Sequence, residues 1–227
     1  MTTNTIHYSI VEGMGHLMLN QPPSNKMTLD FFLEFNEMIA TIGKSNEIRA
    51  LVISGKGRHF SSGADLSALL KEIHLKSKVG LNGEITLEPG FLTENYNAFL
   101  ALDQLNIPVI AAIRGVCLGS ALELALFSHF RFSSEEAVFG LPETSFNLIP
   151  GLGGITKVAS LSGKANTIEL VLKGKTFTAF DALKLNLIDR ILPKKEFLHQ
   201  SFSFAGSIAG DYHKEKRKLY LRNYFTA

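Results

Sequence analysis

The 227-residue sequence has no tryptophan and a single cysteine, Cys117. One thiol cannot close an internal disulfide, so a disulfide-stapled secreted domain is excluded and a reducing cytoplasm is the expected setting. No run of about 18 apolar residues occurs, which leaves no candidate transmembrane helix. The stretch from Met1 to His7 is polar and lacks the apolar core of a secretory signal. Charge imbalance is missing as well: 23 Lys and Arg face 21 Asp and Glu, for a net charge of +2. Without a basic stripe, neither nucleic acid nor a membrane surface is an expected partner.

Several chemistries lack their usual spelling. The seven histidines (7, 16, 59, 74, 129, 199 and 213) never fall four apart, and no CxxC is present, so no metal site is expected. There is no G-x-S-x-G nucleophile elbow and no Walker A loop. Gly151, Gly153 and Gly154 do not fit the G-x-G-x-x-G dinucleotide pattern.

What is present is a large apolar fraction, 45% of residues, with 17 Phe suited to deep packing. That content excludes a disordered chain and suffices for a sizeable core in one large domain or two small ones. Apolar, β-branched runs at His16–Asn20, Ala50–Ser54, Val109–Ile113, Phe130–Ser133 and about Ile188–Leu192 read as strands. Helical spacing marks Thr28–Ile42, Ser120 to about Phe127, Lys164–Leu172 and Thr178–Leu185, with Thr28 and Thr178 as candidate caps. The alternation points to α/β construction with strands buried on both faces. Lys71–Glu94 breaks any period and reads as a surface excursion suited to a lid. The basic tail from Tyr212 reads as a solvated helix face.

Three segments carry chemistry. In IRGVCLGSALELAL (113–126) a strand ends and a helix begins near Gly119–Ser120, where backbone N–H groups have no intrahelical partner. Such donors suit an oxygen that becomes negative during reaction. Glu123 interrupts the apolar run of that helix; alone it reads equally as a residue on a wet face or as a functional carboxylate. The HFSSGADL loop (59–66) follows a strand, and its Gly63 permits close backbone approach, while the Asp65 side chain suits a helix cap. In FGLPETSFNLIPGLGG (139–154), Pro142 fixes the backbone before Glu143, and Pro150–Gly154 forms a flexible turn; a lone Pro-Glu is an ordinary surface turn.

Together with Leu19-Asn20-x-Pro22, the FSSGADL loop, PVIAAIRG and FGxPE followed by IPGxGG give four motifs in order. The sequence over roughly residues 6–195 thereby resembles the crotonase, or enoyl-CoA hydratase/isomerase, family. The resemblance implies an α/β fold, a crotonase-like spiral of ββα units over 1–195, with a variable excursion at about 71–94. A shortened helical C-terminal region would occupy 196–227, and a homotrimer or dimer of trimers is implied. Ala64 and Ser120 match the family's two backbone N–H donors of the oxyanion hole, which would bind the thioester carbonyl of an acyl-CoA. Glu123 and Glu143 match the two glutamates that hydratases hold around a water. Ser62, Gly63, Asp65, Leu66 and Gly119 fall at substrate- or CoA-contacting positions.

The implied reaction is hydration of a 2-enoyl-CoA to a 3-hydroxyacyl-CoA, with coenzyme A as part of the substrate and no further cofactor. Glu123 would activate water and Glu143 would handle the C2 proton. Isomerisation or decarboxylation of an acyl-CoA, or a catalytically weak CoA-binding or assembly subunit, are the alternatives. The sequence departs from the family in three places: Gly119-Ser120-Ala121 stands for three glycines, Ser67 for a frequent basic residue, and His129 for a frequent Asp. Relatives commonly continue beyond the position of Ala227 with helices that cover the site.

Overall fold

A computed structural model describes residues 4–65, 67–68, 71, 77–79, 85–87 and 90–210, with backbone alone at 77–79, 85–87 and 91. All five apolar runs become strands of one six-stranded sheet. In chain order its members are β1 (Ile6–Val11), β2 (Met14–Leu19), β3 (Ala50–Gly55), β6 (Val109–Ile113), β8 (Phe130–Ser134) and β11 (Arg190–Leu192). They lie side by side in that order, parallel except for the β1–β2 hairpin.

The reading from sequence does not foresee β1. Its Val11 pairs with Met14 across Glu12-Gly13, whose φ angles of 50° and 77° make the two-residue turn that right-twisted hairpins favour. Pairing with β1 carries β2 back to Met14, two residues earlier than the apolar run suggests.

Period-2 alternation divides the sheet's side chains between two cores. Leu51, Ile53, Val109, Ala111 and Ile113 face one, and Ala50, Val52, Ile110 and Ala112 face the other. The first core is covered by α1 (Leu29–Lys44) and α2 (Gly90–Gln104), which cross with Phe35 edge-on to Phe99 at 5.6 Å. Thr28 caps α1 by accepting the Phe31 N–H. The second core is closed by α7 (Phe197–Ala209), whose Phe197 and Ala205 are buried against Val52, Ile110 and Phe132.

From β6 onward the chain repeats a rhythm: a strand in the large sheet, a short strand in a second sheet, then helix. β6 leads to β7 (Val116–Leu118) and α3 (Ser120–Leu126). β8 leads to β9 (Val138–Gly140), a 3-10 turn (Pro142–Phe146), α4 (Gly154–Ser162) and α5 (Lys164–Lys173). β10 (Thr176–Thr178) completes the second sheet in the order β10–β9–β7. It runs into α6 (Ala179–Lys184), where Thr178 and Asp181 form a capping box. This strand–strand–helix rhythm is the spiral that the resemblance implies.

One expectation needs correction. The excursion at 71–94 is not wholly without regular structure: β4 (Ser77–Val79) pairs with β5 (Ile85–Leu87), and α2 begins at Gly90. The rest of that stretch, and the basic tail from Tyr212, lie outside the described residues. No helix among the described residues is long and apolar enough to cross a membrane.

Candidate active site

The rhythm of the second sheet delivers three loops to one cavity. After β3 the chain behaves as a further strand of that sheet: the Ser61 N–H donates to Val116 O at 3.0 Å, and Leu118 N–H to Ser61 O at 3.2 Å. On its other side Met27 N–H donates to Gly63 O, and Asp65 N–H to Met27 O, both at 3.0 Å. That bridge leaves the Ala64 N–H out of the ladder. Gly63 is required at its position: at φ 88°, a Cβ there would lie 2.5 Å from Leu118 O. The close approach sets residue 64 beside the start of α3, and the same imagined Cβ is 3.4 Å from Ser120 N. Ser120 is the first residue of α3, so its N–H has no intrahelical acceptor.

Asn25 holds this loop from behind. Its buried amide donates to the carbonyls of Lys56, His59 and Phe60 at 2.9, 2.8 and 3.2 Å, and its Oδ1 accepts the Gln21 N–H at 3.0 Å. It sits at φ 49°, which asparagine tolerates better than most residues. Asn25→Ala strands three carbonyls and leaves that backbone strain uncompensated. We expect a stability loss of about 2–4 kcal/mol, read as a lower urea midpoint at unchanged m-value.

Glu123 is one turn into α3 and 1% exposed. No wet face exists for it, since Ala121 to Leu126 are all buried. Its Oε1 accepts two backbone N–H groups, from Leu152 and Gly154, each at 2.9 Å. The turn before α4 is therefore a clamp on this carboxyl rather than the flexible element read from its glycines. Burial pushes the Glu123 carboxyl up from an ordinary 4.5 to about 7; the Gly154 N–H opposes that rise, the nearby Glu143 adds to it, and the Leu152 N–H opposes it.

Glu143 follows Pro142 in the 3-10 turn and reaches Gly119, where an added Cβ would meet its Oε1 at 3.0 Å. Its Oε2 is buried with no hydrogen-bond partner, and burial raises its pKa.

Ser62, Gly63, Ala64, Gly119, Ser120, Glu123 and Glu143 all line one cavity of about 520 Å3. The volume suits a small-molecule site. Asp65 does not line it: its Oδ1 accepts the N–H groups of Ser67 and Ala68 at 3.1 and 3.3 Å, the geometry of a cap. Leu66 lies outside the described residues. His129 is structural, accepting the Val109 N–H at 3.0 Å and bonding the Asp103 carbonyl at 2.9 Å.

The sequence reading misses the cavity's apolar walls, Phe32, Leu92, Phe146, Leu148, Ile149 and Leu152. Aliphatic and phenylalanine side chains carry no chemical signal in a motif, and these come from three separate segments. It also misses Asn25, for which the only cue is an Asn in a Pro- and Ser-rich turn.

Residues 9–220 match the family described as enoyl-CoA hydratase/isomerase. A peroxisomal Δ(3,5)-Δ(2,4)-dienoyl-CoA isomerase of Arabidopsis thaliana is 32% identical over 87% of this chain and 72% of its own length. A fatty acid oxidation complex subunit alpha of Shewanella loihica is 36% identical over 91% of this chain, which spans 28% of that larger protein. Among solved structures, a Thermobifida fusca YX protein described as an enoyl-CoA hydratase, in complex with CoA, superposes with a TM-score of 0.81. It is 26% identical, with 96% of this chain and 85% of that one covered.

Proposed function

This chain belongs to the enoyl-CoA hydratase/isomerase family, and from that premise we propose that it adds water across the C2–C3 double bond of a 2-enoyl-CoA. The observation that carries the reading is the pair of buried carboxyls, Glu123 and Glu143, in one cavity with two unengaged backbone N–H groups. Double-bond isomerisation is the second reading, favoured by the identity to a dienoyl-CoA isomerase. Isomerisation needs a proton moved between two carbons, whereas hydration also needs a base for water; two carboxyls with separate surroundings suit the latter.

In the proposed reaction the thioester oxygen lies between the N–H groups of Ala64 and Ser120. Glu123, whose ionised form is favoured by its two N–H donors, takes a proton from water as the water oxygen attacks C3. The C2–C3 π electrons move through the conjugated carbonyl to its oxygen, giving an enolate that the two N–H donors stabilise. Glu143, whose pKa burial raises, enters in its protonated form and gives that proton to C2 as the enolate collapses. The proton on Glu123 then passes to Glu143 by way of an incoming water, restoring both groups. The walls of the cavity exclude bulk solvent from the enolate.

A pH profile tests this directly. Glu123 must be ionised to act, so kcat with crotonyl-CoA is expected to fall about tenfold per pH unit on the acid side, with an apparent pKa near 7 shared by the coupled pair. Glu143→Gln is expected to lower kcat by about 10²–10³-fold, followed by loss of the enone absorbance. A flat profile from pH 5 to 8 with undiminished turnover in Glu143→Gln overturns the two-carboxylate reading.

A further inference from the structure

Ser120 carries a side chain that the fold itself does not use. The segment from Ser120 to Glu123 spells S-x-x-E, the pattern of a helix capping box. No such box is formed. The N-cap is Gly119, which has no side chain to offer, and Ser120 stands one position too late to cap. The other half of the pattern is committed elsewhere, because Glu123 Oε1 is taken by Leu152 and Gly154. Local structure therefore gives no reason for a hydroxyl at this place.

The cavity gives one. Ser120 is half-buried and lines the same space as Ala64, Glu123 and Glu143. Its hydroxyl has no hydrogen-bond partner among the described residues, as the α3 cap carries no side-chain bond and no further interaction of Ser120 is present. Residues three apart share a helix face, so Ser120 and Glu123 present their side chains to one substrate. The hydroxyl is three bonds from the Ser120 amide nitrogen, and a staggered χ1 can direct its O–H to the oxygen which that N–H would bind.

We infer that the Ser120 side chain is a third hydrogen-bond donor to the thioester oxygen, engaged most strongly when that oxygen bears the enolate charge. This rests on the hydration reading above, from which it takes the position of the oxygen. The chemistry is that of a charge-assisted O–H···O⁻ bond, shorter and stronger than a bond to a neutral carbonyl. Its benefit falls on the transition state more than on the bound substrate, so it raises kcat with little effect on KM. A freely rotating hydroxyl is a less preorganised donor than a backbone N–H, which places its contribution at about tenfold to a hundredfold in rate.

The test compares wild type with Ser120→Ala and Ser120→Thr, using crotonyl-CoA for turnover and cinnamoyl-CoA as a bound chromophore. Absorbance of the conjugated cinnamoyl group moves to the red as its carbonyl is polarised. Expected are a red shift on wild type, a smaller shift on Ser120→Ala, kcat in that variant down about tenfold to a hundredfold at a KM within threefold, and retention of most of both by Ser120→Thr. A full shift and full kcat in Ser120→Ala overturn the inference and leave the hydratase reading intact. So does a lowered melting temperature or raised KM with an unchanged shift, since packing alone would do that. No shift on the wild type itself, with probe bound, removes the oxyanion site and with it both readings.

Discussion

Glu123→Gln is expected to abolish hydration while making the folded protein more tolerant of alkaline pH. The amide is nearly isosteric and its Oε1 can still accept the Leu152 and Gly154 N–H groups, so the clamp geometry is retained. What disappears is a base able to take a proton from water, and positioned proton transfer contributes about 10²–10⁴ in rate. The stability effect follows from linkage. A native pKa of about 7 against an unfolded value near 4.5 means that the folded chain holds a proton that the unfolded chain releases. That stability is fully present below pH 4.5 and is lost as pH rises to about 7, because ΔG of unfolding falls wherever the native state binds more protons. The displacement corresponds to about 3 kcal/mol, at 1.36 kcal/mol per unit. Gln carries no titration, so the difference in unfolding free energy between variant and wild type should widen by about that amount between pH 4.5 and pH 8. Parallel urea melts at the two pH values measure it. A gap independent of pH would mean that Glu123 titrates normally and is not the buried carboxyl described here.

The second large effect is expected at Gly154, where a change that ordinarily stabilises should do the opposite. Gly154 opens α4, and alanine in a helix is usually better than glycine by about 1 kcal/mol. Here an added Cβ would lie 2.6 Å from Glu123 Cγ and 2.8 Å from its Oε1, distances that real side chains do not tolerate. Either Glu123 swings off its two N–H donors or the turn before α4 moves away. Both outcomes misplace the carboxyl, and small misplacements of a reacting group cost about 10²-fold in rate. We expect Gly154→Ala to lose that factor in kcat and about 2 kcal/mol in stability, within the range for overpacked interiors. In a Glu123→Ala background the clash has no partner. The stability loss from Gly154→Ala should then vanish or reverse, a coupling of about 2 kcal/mol in a double-mutant cycle. Additive losses would place the cost of Gly154→Ala in the turn and not in contact with Glu123.

The parts of this molecule that were legible in its sequence share a local physical cause. β3 and β6 are apolar runs because both of their faces are buried, and Thr28 and Thr178 stand where helix caps are needed. Glu123 stands out as a carboxylate inside an apolar helix, and Glu143 through its motif. Illegible features depend on what is brought together over distance. The donors to Glu123 are backbone groups 29 and 31 residues away, and backbone has no letter in a sequence. β7 and β9 have three residues each, too few to display a period of two, yet they aim two of the three loops at the cavity. α7 falls within the helical C-terminal region that the resemblance implies, but its place on the second core comes from alternation in β3 and β6, which only pairing reveals.

The central proposal is that water is added and not merely that a double bond is moved. It is tested most directly by turning over crotonyl-CoA in water enriched in oxygen-18, and separately in deuterium oxide, with the products analysed by mass spectrometry. Hydration by Glu123 and Glu143 predicts a 3-hydroxyacyl-CoA with one heavy oxygen at C3, and one solvent deuteron at C2. Both labels should fall together in Glu123→Gln. Migration of the double bond or exchange of deuterium into the substrate, with no heavy oxygen in any product, would contradict the account.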